Sequence, residues 1–441
     1  MEIIESKEIN QKGYIEKLEN GLTVIIIPKE NTNSKYVIWA TKFGSIDNHF
    51  VVPDSGEEVI VPDGVAHFLE HKMFEQRNGV DALYTLMGYG ALANAYTTND
   101  HTAYLYQITD DINDSRNKSS FYKCFDEFMD YVQNPYYTDE NVAKEQGIIG
   151  QEIQMGNDDP GWIVYLNLMD CLYKNNTVKL DTAGTKETIS HITKETLYNC
   201  YNTFYHPSNM VLVVVGNFEP NKMLEEIKKR LLKKKSQKDI KRIYPNEPEE
   251  INKDRAEAYM EISIPIFYIG YKDKVNNRDK LKRDLEVQIA LNLIIGNSSD
   301  LYQRLYKENL LLNEPDFDYE YNDSFAHAII GGESKDPNKV LELFKEEVKK
   351  IRDKILVDKK IEEDIERIKK KIYGKYALEF DDPTDIGRLI VQNYIKGQNS
   401  FDYFKKIIEI SKENIYNIFN ELLKEEYLTI SIVYPKEKGE Q

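Results

Sequence analysis

Two histidines and a glutamate lie close together early in the chain, as His67, Glu70 and His71 in the pattern H-x-x-E-H. On an α-helix, residues three or four positions apart share one face, so both imidazoles can reach one metal ion and the carboxylate can lie beside it. Neutral imidazole is a common ligand of zinc. Apolar neighbours such as Phe68 would give this helix a packed and therefore rigid side. The spacing predicts part of a zinc site; the alternative is a surface helix that carries two histidines by chance.

A second acidic pair, Glu145 and Glu152, lies seven residues apart. Seven residues are two helical turns, so both carboxylates belong to one face of a predicted helix over 139–155. Two carboxylates on one helix face are usually solvated. Here they interrupt an apolar set of isoleucines, which predicts that at least one of them is buried.

Length and composition describe a globular protein of two or three domains, with 441 residues of which 41% are hydrophobic. No run of eighteen apolar residues occurs, so the sequence predicts no membrane span. The first residues include several acidic side chains and lack the basic start and apolar stretch of a signal peptide. We therefore expect a cytoplasmic protein.

Cysteines and charge exclude further classes. Cys124, Cys171 and Cys200 are far apart and form no C-x-x-C pair, so we expect reduced core thiols rather than disulfides or a thiolate metal site. The net charge of −17 makes nucleic acid and anionic membranes poor partners and favours neutral or basic substrates.

The order of elements repeats along the chain. The stretch 192–202 resembles 410–420, and the apolar strand after the first, 210–215, matches a second at 427–434. Strands mix with helices without strict alternation, which predicts an α+β fold built from two copies of one unit. Between them, a polar, charged and proline-bearing stretch has the composition of a linker. The predicted organisation is an N-terminal zinc-binding domain (1–232), a linker (233–255) and a homologous C-terminal domain without a metal site (256–441).

These features together resemble the pitrilysin/insulinase family of zinc metallopeptidases, in particular its short, two-domain bacterial branch that is similar to mitochondrial processing peptidase. The resemblance rests on H-x-x-E-H in the first of two duplicated units, on a downstream glutamate preceded by another acidic residue, on Asn94-Ala95 followed by Thr97, and on the stretch 205–217. It covers nearly the whole chain.

The family resemblance implies a fold, a cofactor and residue roles. The fold would be two homologous domains, each a mostly antiparallel sheet with helices packed on one face, facing each other across a chamber. The cofactor would be Zn²⁺, which activates a water for peptide hydrolysis. The site residues would be the ligands His67, His71 and Glu152, the general base Glu70, the supporting carboxylate Glu145 that orients His67 or the metal water, and the substrate-binding edge strand with Asn94, Ala95 and Tyr96.

One family feature is absent from the sequence. Members that work alone have an arginine and a tyrosine in the second half that hold the carbonyl oxygen of the substrate. This chain has Tyr306 at the arginine position and leucine near the tyrosine position, with Arg304 and Tyr319 nearby but out of register. The resemblance therefore implies a zinc endopeptidase that works as a heterodimer with a homologous partner supplying that pair; a homodimer is possible. A non-catalytic scaffold subunit of the same family is the alternative.

Overall fold

The computed structural model describes residues 1–109, 119–275, 279–311 and 313–436. In chain order, the first half forms these elements: β1 (Glu2–Ser6), β2 (Gln11–Lys17), β3 (Thr23–Pro28), β4 (Ser34–Thr41), β5 (His49–Val51), β6 (Glu58–Ile60), α1 (Val65–Lys72), α2 (Ala82–Gly88), β7 (Leu92–Thr97), β8 (Thr102–Thr109), α3 (Ser120–Tyr131), α4 (Asp139–Asn157), α5 (Pro160–Leu172), α6 (Lys186–Ser190), α7 (Lys194–Phe204), β9 (Met210–Gly216) and α8 (Pro220–Arg230).

The second half continues with a similar succession of elements: β10 (Lys241–Arg242), β11 (Arg255–Met260), β12 (Ile266–Lys272), α9 (Lys280–Ile295), α10 (Asp300–Lys307), β13 (Asp316–Tyr321), β14 (Ala326–Glu333), α11 (Pro337–Lys354), α12 (Lys359–Leu378), α13 (Pro383–Ile395), α14 (Tyr403–Glu409), α15 (Lys412–Glu421) and β15 (Leu428–Pro435). Among the described residues, no helix combines the length and the apolar character needed to cross a membrane.

The chain divides into two units, and unit 1 contains Met1–Ile153, Asp181–Tyr244 and Tyr376–Asp402. Its main sheet has the strand order β1-β2-β3-β9-β4-β8-β7. Only the β3–β9 pair among these neighbours is parallel. The β-branched and apolar strands β3, β4 and β9 occupy the centre because both of their faces are buried. Strand β7 lies at the edge of the sheet.

Both faces of the unit 1 sheet are covered. On one face, Trp39 belongs to a core cluster that includes Phe68 of α1 and Phe128 of α3. On the other face, α13 lies against β4 and β9. Gly387 allows the close approach there, because a Cβ at this position would lie 2.4 Å from the ring of Tyr36. A helix from the second half of the sequence thus completes the first sheet.

Unit 2 contains Gln154–Leu180, Pro245–Lys375 and Tyr403–Gln441. Its sheet has the order β11-β15-β12-β14-β13, again with one parallel pair, β11–β15. Helix α5, from the first half of the sequence, packs on β11, β12 and β15. At Gly270 of β12, a Cβ would lie 3.0 Å from a methyl group of Leu168 on this helix. The two units therefore use the same arrangement, each with one helix from the other half of the sequence.

The predicted α+β fold with two homologous units is confirmed, but helices cover both faces of the unit 1 sheet rather than the one face predicted. Helices α7 and α15 begin with the same capping box, at Thr193 and Ser411, and each is followed by a central strand. The observed division differs from the predicted ranges 1–232 and 256–441, because α5 and α13 are exchanged between the halves. Amphipathic helices must bury an apolar face, but their pattern does not specify which sheet they cover.

The predicted linker, 233–255, is also more ordered than its composition indicates. Strand β10 pairs with β5 in a small sheet of order β10-β5-β6. Arg242 Nε donates to Asp47 Oδ1 at 2.9 Å, and the Tyr244 hydroxyl donates to the same atom at 3.0 Å. Asp47 is only 2% exposed, and a buried carboxylate requires such partners. The hydrogen bonds from Arg242 and Tyr244 to Asp47 therefore attach the N-terminal part of the predicted linker to unit 1.

Candidate metal centre

Helix α1 is positioned by a glycine at its start. Gly64, the N-cap of α1, has φ 90°, in the left-handed region that favours glycine. A Cβ at this residue would lie 2.4 Å from the carbonyl oxygen of Ala183. Val65, Phe68 and Leu69 are buried in the core. The apolar side of the helix therefore faces the core, while the motif residues lie on the remaining surface.

The structure brings three of the predicted residues together. His67 Nε2 and His71 Nε2 lie 3.9 Å and 3.6 Å from Glu152 Oε2. One potential ligand atom from each residue lies within 4.8 Å of the others. This set, two imidazole nitrogens and one carboxylate oxygen, is a usual donor set for catalytic zinc, which leaves a fourth position for water. No other group of this kind occurs in the described part of the chain.

Electrostatics favour the metal-binding form of His67. Burial, together with the nearby His71, lowers the pKa of His67 to about 4. Its imidazole is therefore neutral at neutral pH, and a nitrogen lone pair is available for a metal ion. His67 Nδ1 is buried without a hydrogen-bond partner among the described residues. The residues present fit a zinc ion.

Glu145 supports His71 rather than His67. Glu145 Oε1 lies 3.0 Å from His71 Nδ1, and Glu145 Oε2 accepts a hydrogen bond from Lys72 Nζ at 3.3 Å. Burial opposes ionisation of Glu145, but these contacts outweigh it and lower its pKa. Burial also opposes protonation of His71, whereas Glu145, Glu70 and Glu152 raise its pKa. With Nδ1 held by Glu145, Nε2 of His71 is directed toward Glu152. The predicted roles of Glu145 were to orient His67 or the metal water; its contacts favour orienting a histidine, and that histidine is His71.

Glu70 lies on the same helix but is not within the ligand cluster. Its side chain is 7% exposed, and burial raises its pKa despite a hydrogen bond from Thr97. The Thr97 hydroxyl donates to Glu70 Oε2 at 2.7 Å. A buried carboxylate with a raised pKa next to a metal site has the properties of a general base.

The predicted substrate-binding residues lie on the edge strand β7. The Ala95 N–H donates to the side-chain oxygen of Asn94 at 2.9 Å, so it is directed away from β8 and toward the open edge. Tyr96 is half-buried, with its hydroxyl 3.4 Å from His101 Nε2. Thus Asn94 and Ala95 are accessible to a strand that would pair with β7, whereas the Tyr96 side chain packs against its own unit.

Two residues of the site were missed from the sequence. Lys72 is 1% exposed and forms ion pairs with Glu75 and Glu145. Its place directly after His71 was the available signal, but lysine is mostly exposed in proteins. Thr97 was noted only as part of a strand, and no local pattern links it to Glu70, because their contact joins a strand to a helix.

The substitutes for the absent arginine and tyrosine are engaged elsewhere in unit 2. Arg304 Nε donates to Glu308 at 2.8 Å on the exposed surface of α10. The Tyr319 hydroxyl is buried and donates to Asp273 Oδ2 at 2.7 Å. Tyr306 is 53% exposed, and Leu312, near the predicted tyrosine position, lies outside the described residues. Both Arg304 and Tyr319 thus have partners within unit 2.

Comparisons with known proteins agree with this class of fold. A family model described as insulinase (peptidase family M16) matches residues 57–186, and one described as the peptidase M16 inactive domain matches residues 191–371. The chain belongs to the insulinase family of peptidases, M16, as the resemblance indicated.

Two of the relatives extend over nearly the whole chain. It is 36% identical to YmfH of Bacillus subtilis, described as an uncharacterised zinc protease, over 98% of this chain and 99% of the relative. The solved structure of an M16-like peptidase from Alicyclobacillus acidocaldarius is 32% identical and covers 97% of this chain and 99% of its own, with a TM-score of 0.89. A mitochondrial-processing peptidase subunit beta of Arabidopsis thaliana is 27% identical over 39% of this chain and 31% of its own length.

Proposed function

We propose that this protein is a zinc-dependent endopeptidase that hydrolyses peptides or short unfolded segments. The observation that carries the proposal is the convergence of His67, His71 and Glu152, with the buried Glu70 on the same helix. The zinc-protease names of its relatives support the same activity at the level of the family.

His67, His71 and Glu152 would hold the metal. When bound, zinc would act as a Lewis acid that polarises the scissile carbonyl and lowers the pKa of its bound water to about 7. Glu145 keeps the Nδ1 proton of His71 in place, which leaves Nε2 as the donor atom. Lys72 holds the other oxygen of Glu145, so the carboxylate is oriented from both sides.

Glu70 would move the proton. Its carboxylate accepts a proton from the attacking water and passes it to the nitrogen of the leaving amine, so no covalent intermediate with the protein is needed. The raised pKa of this buried group brings proton uptake closer to neutral pH than for an exposed glutamate.

The edge of β7 would hold the substrate. An extended peptide can add as a further strand, and main-chain hydrogen bonds then give affinity that tolerates many side chains. The Ala95 N–H is a donor at this edge, once the Asn94 side chain releases it.

The test is the isosteric variant Glu70→Gln, assayed on a peptide library together with its zinc content. The variant removes the base but no ligand, so we expect zinc to be retained and peptidase activity to fall by a factor on the order of a hundred or more. Glu145→Gln is the comparison that separates base from support, because it changes the carboxylate that holds His71 Nδ1 and Lys72 Nζ but leaves Glu70 in place. Unchanged activity in Glu70→Gln would refute the proposed mechanism.

We further propose that the active form is a heterodimer with a paralogous chain. Hydrolysis builds negative charge on the carbonyl oxygen, and loss of one positioned donor to it commonly costs about a hundredfold or more. Within unit 2, Arg304 Nε donates to Glu308 and the Tyr319 hydroxyl donates to Asp273, and one relative is named as a subunit. A partner that has the arginine and tyrosine but lacks H-x-x-E-H would complete the site.

The experiment assays this chain alone, its paralogue alone and their mixture. Strong activation in the mixture, abolished by Glu70→Gln in this chain and by loss of the arginine in the partner, is the expected result. Full activity of this chain alone, as a monomer or homodimer, would contradict the heterodimer. The competing function, a non-catalytic core subunit, predicts an inactive mixture and is supported by the description of the second family match as an inactive domain.

A further inference from the structure

We propose that Thr97 is a positioning residue that fixes the carboxylate of Glu70 in one orientation. This inference rests on the proposed role of Glu70 as the general base. Thr97 is the last residue of the edge strand β7, and its hydroxyl lies 2.7 Å from Glu70 Oε2. The contact therefore joins the strand proposed to hold the substrate to the residue proposed to move the proton.

The neighbouring hydroxyl groups determine where the Thr97 proton points. Thr97 Oγ1 also lies 3.3 Å from Thr102 Oγ1. Thr102, however, is fully buried and donates to the carbonyl oxygen of Phe43 at the shorter distance of 2.8 Å. A hydroxyl has one proton to donate. Because Thr102 has its own acceptor and the Glu70 carboxylate can only accept, the Thr97 proton is directed to Glu70.

The backbone around Thr97 makes this donor rigid. Thr97 pairs directly with Thr102 across β7 and β8, and Thr102 is anchored to Phe43 in the adjoining loop. Behind Thr102, the hydroxyls of Tyr104 and Tyr205 lie 2.8 Å apart in the core. The hydroxyl of Thr97 is therefore presented from a packed element rather than from a mobile loop.

Holding one oxygen of a carboxylate decides which oxygen acts. Oε2 of Glu70 receives the Thr97 hydrogen bond, so Oε1 is left to accept the proton of the attacking water. This hydrogen bond, at 2.7 Å, fixes the position of Oε2. Without it, the carboxylate could rotate about its last torsion angle, which is broad for glutamate, and the base would spend less time in the productive orientation.

The test compares two substitutions that differ in the hydroxyl. Thr97→Val keeps the β-branched shape and removes the donor, whereas Thr97→Ser keeps the donor and removes a methyl group. We expect kcat of the zinc-loaded complex to fall about ten- to a hundredfold in the valine variant, with KM and zinc content unchanged. The serine variant should recover most of the wild-type kcat. Thr109→Val, the same substitution at the exposed end of β8, is the matched control and should behave as wild type.

Three kinetic results would overturn the proposal. Equal losses in Thr97→Val and Thr97→Ser would assign the effect to packing, and wild-type kcat in Thr97→Val would show that the hydroxyl is dispensable. A rise in KM alone would assign Thr97 to substrate binding by β7 rather than to the base.

A readout independent of activity separates this proposal from the proposed function. Crystal structures of the metal-free wild type, Thr97→Val and Thr97→Ser should show one Glu70 carboxylate orientation in the wild type and the serine variant, and a rotated or multiply placed carboxylate in the valine variant. An unchanged carboxylate in Thr97→Val would refute the positioning role, even if the wild type had no peptidase activity. Conversely, if the wild type had no peptidase activity but the Glu70 carboxylate were displaced in Thr97→Val, the proposed peptidase function would be refuted and the positioning role of Thr97 would be supported.

Discussion

The edge strands β7 and β13 occupy the same position in the two units, yet they carry different side chains. Each follows two helices in sequence and pairs with one strand only, β8 or β14. Alternate residues along one side of β7 are uncharged, and the corresponding residues of β13 are all acidic: Leu92, Asn94 and Tyr96 against Asp316, Asp318 and Glu320.

Charge on an edge strand discourages pairing with another strand, which is a common protection against aggregation. Unit 2 has this protection, and unit 1 lacks it on the strand that adjoins Glu70. The two units share a strand order, but their corresponding edge strands differ in charge, and the uncharged one adjoins the candidate metal ligands. An unprotected edge is a liability unless it serves binding, and strand addition by a peptide is such a use.

The polar groups of the two units differ in the same way. In unit 2, Arg283 of α9 forms a bidentate salt bridge with Asp273, in which Nε and Nη2 donate to the two carboxylate oxygens at 2.9 Å and 3.0 Å. The Tyr319 hydroxyl donates to the same carboxylate. This network is closed, because each charge has an opposite charge beside it. In unit 1, His67, His71 and Glu152 converge without such closure. One network has a structural role, whereas the other fits a metal ion.

Removal of a metal ligand should have the largest effect. His67→Ala, His71→Ala and Glu152→Ala should each lose most of the roughly one zinc per chain that we expect, because a three-ligand site without one ligand is weak. Zinc is measured by elemental analysis after dialysis. His49→Ala, at a half-buried histidine of β5 outside the cluster, is the control and should retain zinc. Full zinc content in all three ligand variants would refute the site.

Breaking the closed network of unit 2 should affect folding and not zinc. Arg283→Met leaves the buried Asp273 without its cation, which typically costs about 3–5 kcal/mol of unfolding free energy. Denaturant titration measures this loss, and zinc content should stay at the wild-type level in the folded protein. If Arg283→Met lost zinc as readily as a ligand variant, the separation of structural and metal-binding roles would be wrong.

The edge of β7 is tested by removing one donor. Ala95→Pro eliminates an N–H that is directed away from β8. The net value of one such hydrogen bond is about 1 kcal/mol, so peptide binding should weaken about fivefold with zinc retained. Calorimetry in the Glu70→Gln background measures affinity without turnover. Ala95→Val, which keeps the N–H, is the matched control, and unchanged affinity in Ala95→Pro would refute strand addition.

The smallest expected effect comes from making β7 resemble β13. Leu92→Asp combined with Asn94→Asp places acidic side chains on the open edge, as in unit 2. Binding of an acidic peptide should weaken by about 0.2–1 kcal/mol in total, and less at high salt, because exposed charges are screened. Loss of affinity that is independent of salt would indicate a steric rather than an electrostatic cause.

Much of the fold and of the candidate metal site could be predicted from the sequence, because the patterns that indicate them are local. Residues four positions apart share one face of a helix, so the sequence already indicated that His67 and His71 lie side by side. The duplication of the unit was visible in the two similar stretches that form α7–β9 and α15–β15. The exchange of α5 and α13 between the two halves could not be predicted from the sequence. An apolar helix face shows that the helix packs on something, but not on which sheet. For the same reason, the contacts of Lys72 and Thr97 required the fold: each joins residues that are distant in the chain.

A zinc site formed by His67, His71 and Glu152 would be seen directly in a crystal structure of the zinc-loaded protein with anomalous diffraction at the zinc edge. We predict one anomalous peak in unit 1, within about 2.0–2.2 Å of His67 Nε2, His71 Nε2 and a Glu152 oxygen, and none at the Asp273–Arg283 network of unit 2. A peak at other residues, or no peak in protein loaded with zinc, would contradict the account.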